Sequence, residues 1–261
     1  MSTYIVGDIH GNFTKLKYLL EKINFNPEKD MLYSVGDIIA RGEESLQVVR
    51  FLRSLGSSFD MVLGNHEVNL MAIYYGFRKP SKKDFLEEII NSDQFEEIID
   101  FFKSKRFIIE RRDLNFIITH AGLFPKWSIE DALKYSDILH NKLNSQDVKH
   151  FLESVYKKDL LESQSEVFYL DAFTRMRYCY KEDDLIKLDL AYKGEIKDAP
   201  KSLKPWFYFS KRDLSIKLFF GHWASLGIEN SYPPYYATDA GCAWGGDLYI
   251  YSVDENKYIH S

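Results

Sequence analysis

Three apolar runs near the start of the chain end the same way, in glycine followed at once by a polar side chain able to bind a metal ion. Tyr4-Ile5-Val6 leads into Gly7-Asp8, Met31 to Val35 into Gly36-Asp37, and Phe59 to Leu63 into Gly64-Asn65-His66. Between them the apolar residues fall at helical spacing: Phe13, Leu16, Leu19, Leu20 and Ile23 after Asn12 as a candidate cap, then Leu46, Val49, Leu52 and Leu55. Strand, loop and helix repeated in this way predict an α/β fold with parallel strands. The ligand site of such a sheet lies beyond the carboxyl ends of its strands.

The remainder of the chain sets the frame around that unit. Residues from about 67 to 106 and from about 128 to 161 read as charged, helical insertions, within one domain spanning residues 1–261. Phe107 to Glu110 and Leu114 to Thr119 read as a hairpin around Arg111-Arg112-Asp113. Tyr178-Cys179-Tyr180, Ile216 to Phe220, Asp247 to Val253 and Lys257 to His260 read as later strands. Lys181 to Lys204, rich in Lys and acidic residues, is expected to be a mobile surface loop. A formal charge of −5 argues against a general affinity for DNA. Two distant cysteines, Cys179 and Cys242, exclude a disulfide framework and read as buried, inert thiols. Without a basic stretch and apolar core at the N-terminus, or any apolar run near the roughly 20 residues a bilayer requires, the expected home is the cytoplasm, away from membranes.

Five motifs carry the chemistry: Gly7-Asp8-Ile9-His10-Gly11, Gly36-Asp37-Ile38-Ile39-Ala40-Arg41-Gly42, Gly64-Asn65-His66-Glu67, Thr119-His120-Ala121-Gly122 and Gly221-His222-Trp223. Singly, each is an ordinary turn or cap. Together they hold four of the seven histidines, whereas His140, His150 and His260 sit in helical or terminal contexts and read as surface residues. A centre of two metal ions needs an anionic bridge, neutral imidazoles and open positions for water and substrate. Asp37 suits the bridge, Asp8 and His10 one ion, and Asn65, His120 and His222 the other. Ions roughly 3.5–4 Å apart would share a water and bring its pKa toward about 7. The mixed nitrogen and oxygen donors favour Mn, Fe, Co or Zn over Mg. Arg41, in the loop before the second helix, suits a phosphate clamp. His66, beside Asn65, is expected to face the leaving oxygen.

In this order the motifs resemble the calcineurin-like metallophosphoesterases, in the branch shared with the phosphoprotein phosphatases. The resemblance implies an α/β/β/α sandwich of two mixed sheets flanked by helices, with the dinuclear site at one sheet edge. Asp171-Ala172-Phe173-Thr174-Arg175-Met176-Arg177, Leu203-Lys204-Pro205-Trp206-Phe207, Gly221 to Leu226 and Asp239 to Gly246 are similar to the symmetrical bis(5'-nucleosyl)-tetraphosphatases, nearly end to end. That likeness implies hydrolysis of the dinucleoside polyphosphate diadenosine tetraphosphate to two ADP, supported by Mn or Co, with Np4-capped RNA 5' ends as an optional further substrate. The protein phosphatases carry Asp at the position of Ala40, paired with the histidine matching His66. Ala40 therefore demotes the alternative of a serine/threonine phosphatase or other phosphomonoesterase. A non-catalytic nucleotide-binding module is demoted by the full ligand set. Glu67 stands where the tetraphosphatase pattern has Asp, and Ala240 where it has Thr. Arg175 and Arg177, alternating with Met176, are expected to share a face toward the polyphosphate, with structural ion pairing as the alternative. Trp206 and Trp223 are read as core residues in preference to adenine-stacking ones.

Overall fold

All three expected βα units form. β1 (Thr3–Val6) leads to α1 (Phe13–Lys22), β2 (Met31–Ser34) to α2 (Ser45–Ser54) and β3 (Phe59–Met61) to α3 (Asn65–Tyr74) in the computed structural model, which describes residues 2–157, 165–210 and 215–261. These strands pair in parallel, Ile5 opposite Tyr33 and Tyr33 opposite Asp60, so their carboxyl ends open along one edge. Asn12 is not a side-chain cap for α1. Its amide donates instead to the carbonyls of Ile9 and His10, at 2.9 and 2.8 Å, and braces the loop that carries His10.

The first helical stretch continues through α4 (Glu87–Ile90) and α5 (Phe95–Lys103). The hairpin follows as β4 (Ile108–Arg111) and β5 (Phe116–Thr119). Next come α6 (Ile129–Leu143) and α7 (Val148–Lys157); the expected end of that stretch near residue 161 lies outside the described residues. At the start of α6 the Ser128 hydroxyl accepts from Asp131 N and the Asp131 carboxylate accepts from Ser128 N, a reciprocal cap. α8 (Glu166–Thr174) has no counterpart in the sequence reading. Every residue from Phe168 to Thr174 is buried, so no polar stripe marks a helical period.

The expected mobile loop from Lys181 to Lys204 is corrected in part. β6 (Tyr178–Glu182) and β7 (Leu185–Asp189) form a regular antiparallel hairpin there, turned by Asp183 and Asp184 at φ of 47° and 64°. Two successive left-handed residues match the twist of a two-residue hairpin turn. The charged residues from Lys181 to Asp184, and Lys187, are all exposed. After β8 (Lys204–Pro205), the strands β9 (Lys217–Phe220), β10 (Tyr235–Ala237), β11 (Tyr249–Ser252) and β12 (Lys257–His260) complete the sheets.

Strand order is β12-β11-β1-β2-β3 in one sheet, β10-β9-β5-β4 in the second and β7-β6-β8 in a small third. β11 runs antiparallel to β1, and β4 to β5, so both large sheets are mixed and not wholly parallel. Side chains alternate between two cores, as the period of two in a strand requires. Ile5, Tyr33 and Tyr251 of the first sheet meet Phe116, Ile118 and Phe219 of the second, with Tyr33 edge-on to Phe116 at 5.5 Å and Phe219 against Tyr251 at 4.8 Å. Their neighbours Tyr4, Val6, Leu32, Ile117, Leu218 and Phe220 turn the other way and join the core shared with the helices. Two sheets face to face with helices outside make the α/β/β/α sandwich. Full burial of one such side chain contributes roughly 1.5–3 kcal/mol, which fixes the strand register and hence where each strand delivers its last residue.

Candidate metal centre

β1, β2 and β3 deliver Asp8, Asp37 and Asn65-His66 at their carboxyl ends, and β5 and β9 deliver His120 and His222 from the second sheet. The site therefore straddles the edges of both sheets. Its loops are unusual: His10, Asp37, Ala40, Arg41 and His222 all have φ between 48° and 72°. Side-chain-bearing residues rarely enter this region, and holding each there costs on the order of 1 kcal/mol or more. The cost is offset by bonds that fix the loops to each other, His10 N to Asp37 O at 2.9 Å and Gly11 N to Ile38 O at 3.0 Å. Glycine is required where these loops cross. A Cβ on Gly64 would stand 2.2 Å from Asp37 Oδ1, and one on Gly221 1.8 Å from Asp8 Oδ1.

Asp37 lies in the middle. Its Oδ2 is 3.4 Å from His120 Nε2 and 3.9 Å from His10 Nε2, and Asp8 Oδ2 is 3.8 Å from the same His10 nitrogen. Ligand-capable atoms of His10, Asp37 and His66 fall within 4.8 Å of one another, and so do those of Asp37, His120 and His222. Asp37 is common to both groups. His120 Nδ1 contacts the Val35 carbonyl at 2.8 Å and His10 Nδ1 that of Ile39 at 3.3 Å, which leaves each Nε2 to face the centre. The Asn65 carboxamide lies between the His120 and His222 rings. With nitrogen inward it donates to His222 Nδ1 at 2.8 Å and His120 Nε2 at 3.3 Å; with oxygen inward it becomes one more lone-pair donor beside the two rings.

The residues fit divalent ions. Asp8, Asp37, Glu67 and Asp239 are all buried at one place. Burial, then Asp239 and Asp37, push the Asp8 carboxyl well up; burial also raises Asp239, and burial with Asp37 pushes Glu67 up to about 7. Burial would raise Asp37 too, but the imidazoles of His120, His66 and His10 outweigh it and hold that carboxyl well below the usual range. Two buried ring nitrogens, His66 Nδ1 and His222 Nε2, have no hydrogen-bond partner among the described residues. Buried like charges and unpaired donor atoms are what a bound cation relieves.

The profile of the calcineurin-like phosphoesterases matches residues 1–226. Proteins named "Bis(5'-nucleosyl)-tetraphosphatase, symmetrical" from Pectobacterium atrosepticum and Haemophilus influenzae are 38% and 35% identical to this chain. The alignments cover 99% of the chain and 94% and 96% of those proteins. The chain belongs to the symmetrical bis(5'-nucleosyl)-tetraphosphatase family of calcineurin-like phosphoesterases. In fold, a crystal structure assigned provisionally as a diadenosine tetraphosphatase superposes with a TM-score of 0.70 at 24% identity, covering 100% of this chain and 92% of the other. A serine/threonine phosphatase from Saccharomyces cerevisiae superposes at 0.54 and 16%, over 96% and 72%. Calcineurin-like phosphoesterases use divalent metals, and this chain has two groups of side chains, sharing Asp37, that could hold such ions.

Around the centre of this tetraphosphatase family member opens a cavity of about 870 Å³. Arg41, Arg175, Arg177 and Lys193 line it. Arg175 and Arg177 share that wall while Met176 between them is buried, yet both also have structural partners. Arg175 pairs with Asp171 at 2.7 Å and Arg177 donates to the His222 carbonyl at 2.8 Å. Arg41 sits four residues before α2 and pairs with Asp84 at 3.3 Å. Ala40 is fully buried, and His66 Nδ1 has no hydrogen-bond partner among the described residues. Trp206 and Trp223 are buried in the core, as are both cysteines, whose thiols burial pushes up, to about 11 for Cys242. His150 and His260 are exposed, whereas His140 is half-buried against the Lys105 carbonyl. Among the described residues no helix is long and apolar enough to cross a membrane.

Two residues escaped the sequence reading. Asp239, two positions after β10, lines the cavity and accepts from Gly241 N at 2.9 Å; its signal was the same strand-then-Asp pattern as Asp8. Glu67 was noticed only as a departure, but it is fully buried and bonded to two loops of the site.

Without metal, this cluster makes stability depend on pH in a defined direction. Burial alone would lower His120, but Asp37, with help from Asp8 and Glu67, raises it to about 9. A group raised on folding contributes stability that is complete below its unfolded value near 6.5 and is lost as pH climbs through 9. Glu67, raised to about 7, acts with the same sign. His66, lowered by burial to about 4, and His222, also lowered by burial, finish their change below 6.5. Chelated protein is therefore expected to lose on the order of 3 kcal/mol between pH 6.5 and 9, read as a falling Tm, and bound metal to flatten that slope. A Tm of chelated protein that rises over the same interval would contradict the assigned charge pattern.

Proposed function

We propose that this chain cleaves diadenosine tetraphosphate symmetrically and releases two ADP. The observation that carries the reading is one aspartate, Asp37, shared by two groups of metal-capable atoms at the floor of an arginine-lined cavity. It is supported by 38% identity, over 99% of the chain, to a protein named for that activity.

In this reading Asp8, whose Oδ2 is 3.8 Å from His10 Nε2, joins His10 and Asp37 around one divalent ion in place of the grouped His66, which is left for the substrate, and Asp37, Asn65, His120 and His222 hold the other. The donor set suits Mn or Co, with Fe and Zn as alternatives. Such ions, when bound, lower the pKa of water and offset the charge of the polyphosphate. The protein's own groups do the rest. Arg41, fixed from one side by Asp84, clamps phosphate oxygens, and Arg175 and Arg177 extend the cationic wall. Burial holds His66 neutral near pH 7, so it offers a hydrogen bond, and not a proton, to the departing oxygen. A nucleoside diphosphate leaves without protonation, which makes the missing partner at Ala40 tolerable.

The test is product analysis. Chelation is expected to lower the rate at least about 10²-fold, Mn or Co to restore it, and chromatography to detect ADP alone. AMP together with ATP would refute symmetric cleavage. Turnover of phosphoserine peptide with none of the dinucleotide would put a protein phosphatase in its place. RNA carrying an Np4 cap presents the same tetraphosphate, and we extend the proposal to it: an Ap4-capped 5' end is expected to yield ADP and a 5'-diphosphate RNA.

A further inference from the structure

Of the four tryptophans, Trp127, Trp206 and Trp223 are at most 5% exposed, whereas Trp244 is 73% exposed, the highest value among the large apolar residues described. It stands on the rim of the metal-centre cavity. Its turn is tightly built. Gly241 and Gly245 on either side both adopt left-handed φ, of 79° and 88°. Trp244 N and Gly246 N both donate to the Gly241 carbonyl, at 2.8 and 3.0 Å, and Lys15 Nζ donates to the Gly246 carbonyl at 2.6 Å. A Cβ on Gly246 would lie 2.4 Å from the Ala240 carbonyl, so the turn has no slack on that side. One face of the indole is covered by Arg41, whose guanidinium carbon is 5.5 Å from the ring. Asp84 fixes the same guanidinium from another side.

An exposed ring is unremarkable when it is alone on a surface. Here it is locked in a glycine-framed turn, at the mouth of the cavity, and in cation–π contact with the Arg41 guanidinium that lines the same cavity. We propose that Trp244 is the platform for one adenine of the substrate. The base lies on the open face of the indole, and Arg41, behind it, contacts the phosphates of the same nucleotide. Stacking on tryptophan takes any aromatic base, so the platform selects nucleotides over bare polyphosphate and distinguishes bases weakly. The inference rests on the dinucleotide reading above but concerns base recognition, not the cut.

ADP and inorganic pyrophosphate, one with a base and one without, separate the two. With the metal-loaded protein, ADP is expected to quench the red-edge emission of the exposed tryptophan, pyrophosphate to leave it unchanged, and Trp244→Phe to abolish the signal. Trp244→Ala is expected to raise KM for the dinucleotide and the inhibition constant of ADP about tenfold, toward the low end for one stacked base. kcat and inhibition by pyrophosphate should stay within about threefold, and Trp244→Phe should restore most of the loss in KM. Equal weakening of ADP and pyrophosphate would overturn the platform and leave Trp244 as a support for Arg41. An unchanged KM in Trp244→Ala would overturn it outright. Quenching by ADP in a protein that does not cleave the dinucleotide would keep the platform and remove the proposed reaction.

Discussion

Replacing Asp37 with asparagine is expected to lower kcat for the dinucleotide about 10³-fold or more, with the fold intact. Loss of a single preorganised hydrogen-bond donor already costs an acyl-transfer enzyme about 10²–10³ in rate. Here the loss would fall on the residue common to both ligand groups. Asparagine keeps the volume and can still accept from His66 N through Oδ1, a bond of 2.9 Å in the native chain. What it lacks is the charge. The three imidazoles around Asp37 hold its carboxyl well below the ordinary range against the opposing effect of burial. Without that anion His120 loses its principal counter-charge. Three readouts follow. Activity at saturating Mn should fall as stated, bound metal should drop from two ions per chain to one, and the decline of chelated-protein Tm between pH 6.5 and 9 should largely disappear. A variant that keeps more than a tenth of native activity would remove Asp37 from the centre.

How far such a site could be read without coordinates depended on the kind of signal each residue leaves. Strands that end in Gly plus Asp, Asn or His put those side chains at the sheet edge by topology alone, so the placement of Asp8, Asp37, Asn65 and His222 was legible from position, as was that of His120 directly after its strand. Mixed pairing was implied by the family resemblance and by the β4–β5 hairpin, but the antiparallel sense of β11 against β1 was not legible from the residues, because the two strands are joined across almost the whole chain. α8 was hidden for the opposite reason to a loop: it is buried on every side. The β6–β7 hairpin was hidden by charge, since four charged residues in a row, Lys181 to Asp184, form its tip and only Tyr178 and Cys179 of its strands are buried. Trp206 and Trp244 show the limit of composition. Both are aromatic and both follow unremarkable neighbours, yet one fills the core and the other stands in solvent at the cavity mouth.

Glu67 is the residue whose role the sequence least disclosed, and its removal is expected to have the largest effect on stability. It occupies the third position of α3. One carboxylate oxygen accepts from Gly64 N and Asp37 N, both at 2.9 Å, and the other from Ile38 N at 2.9 Å. The side chain thus joins the β2–α2 loop, which holds Asp37, to Gly64 in the β3–α3 loop, directly before Asn65 and His66. An aspartate there would be shorter by one carbon–carbon bond, about 1.5 Å, and could not span both loops from the same backbone position. Glu67→Ala strands three buried N–H groups, each worth roughly 1–3 kcal/mol when unpaired. Partial relaxation and the relief of a carboxyl that burial pushes up to about 7 reduce the sum, and a net loss of about 3–5 kcal/mol is expected. For a chain of this size that is a fall of about 10 °C in Tm. Glu67→Gln separates reach from charge. It keeps one acceptor oxygen but turns an amide nitrogen toward a backbone donor, so it should lie between alanine and the native chain above pH 7. Below pH 7, where the native carboxyl takes up its proton, the gap between glutamine and glutamate should narrow. A Tm within about 3 °C of native for Glu67→Ala would show that the two loops hold their places without this bridge.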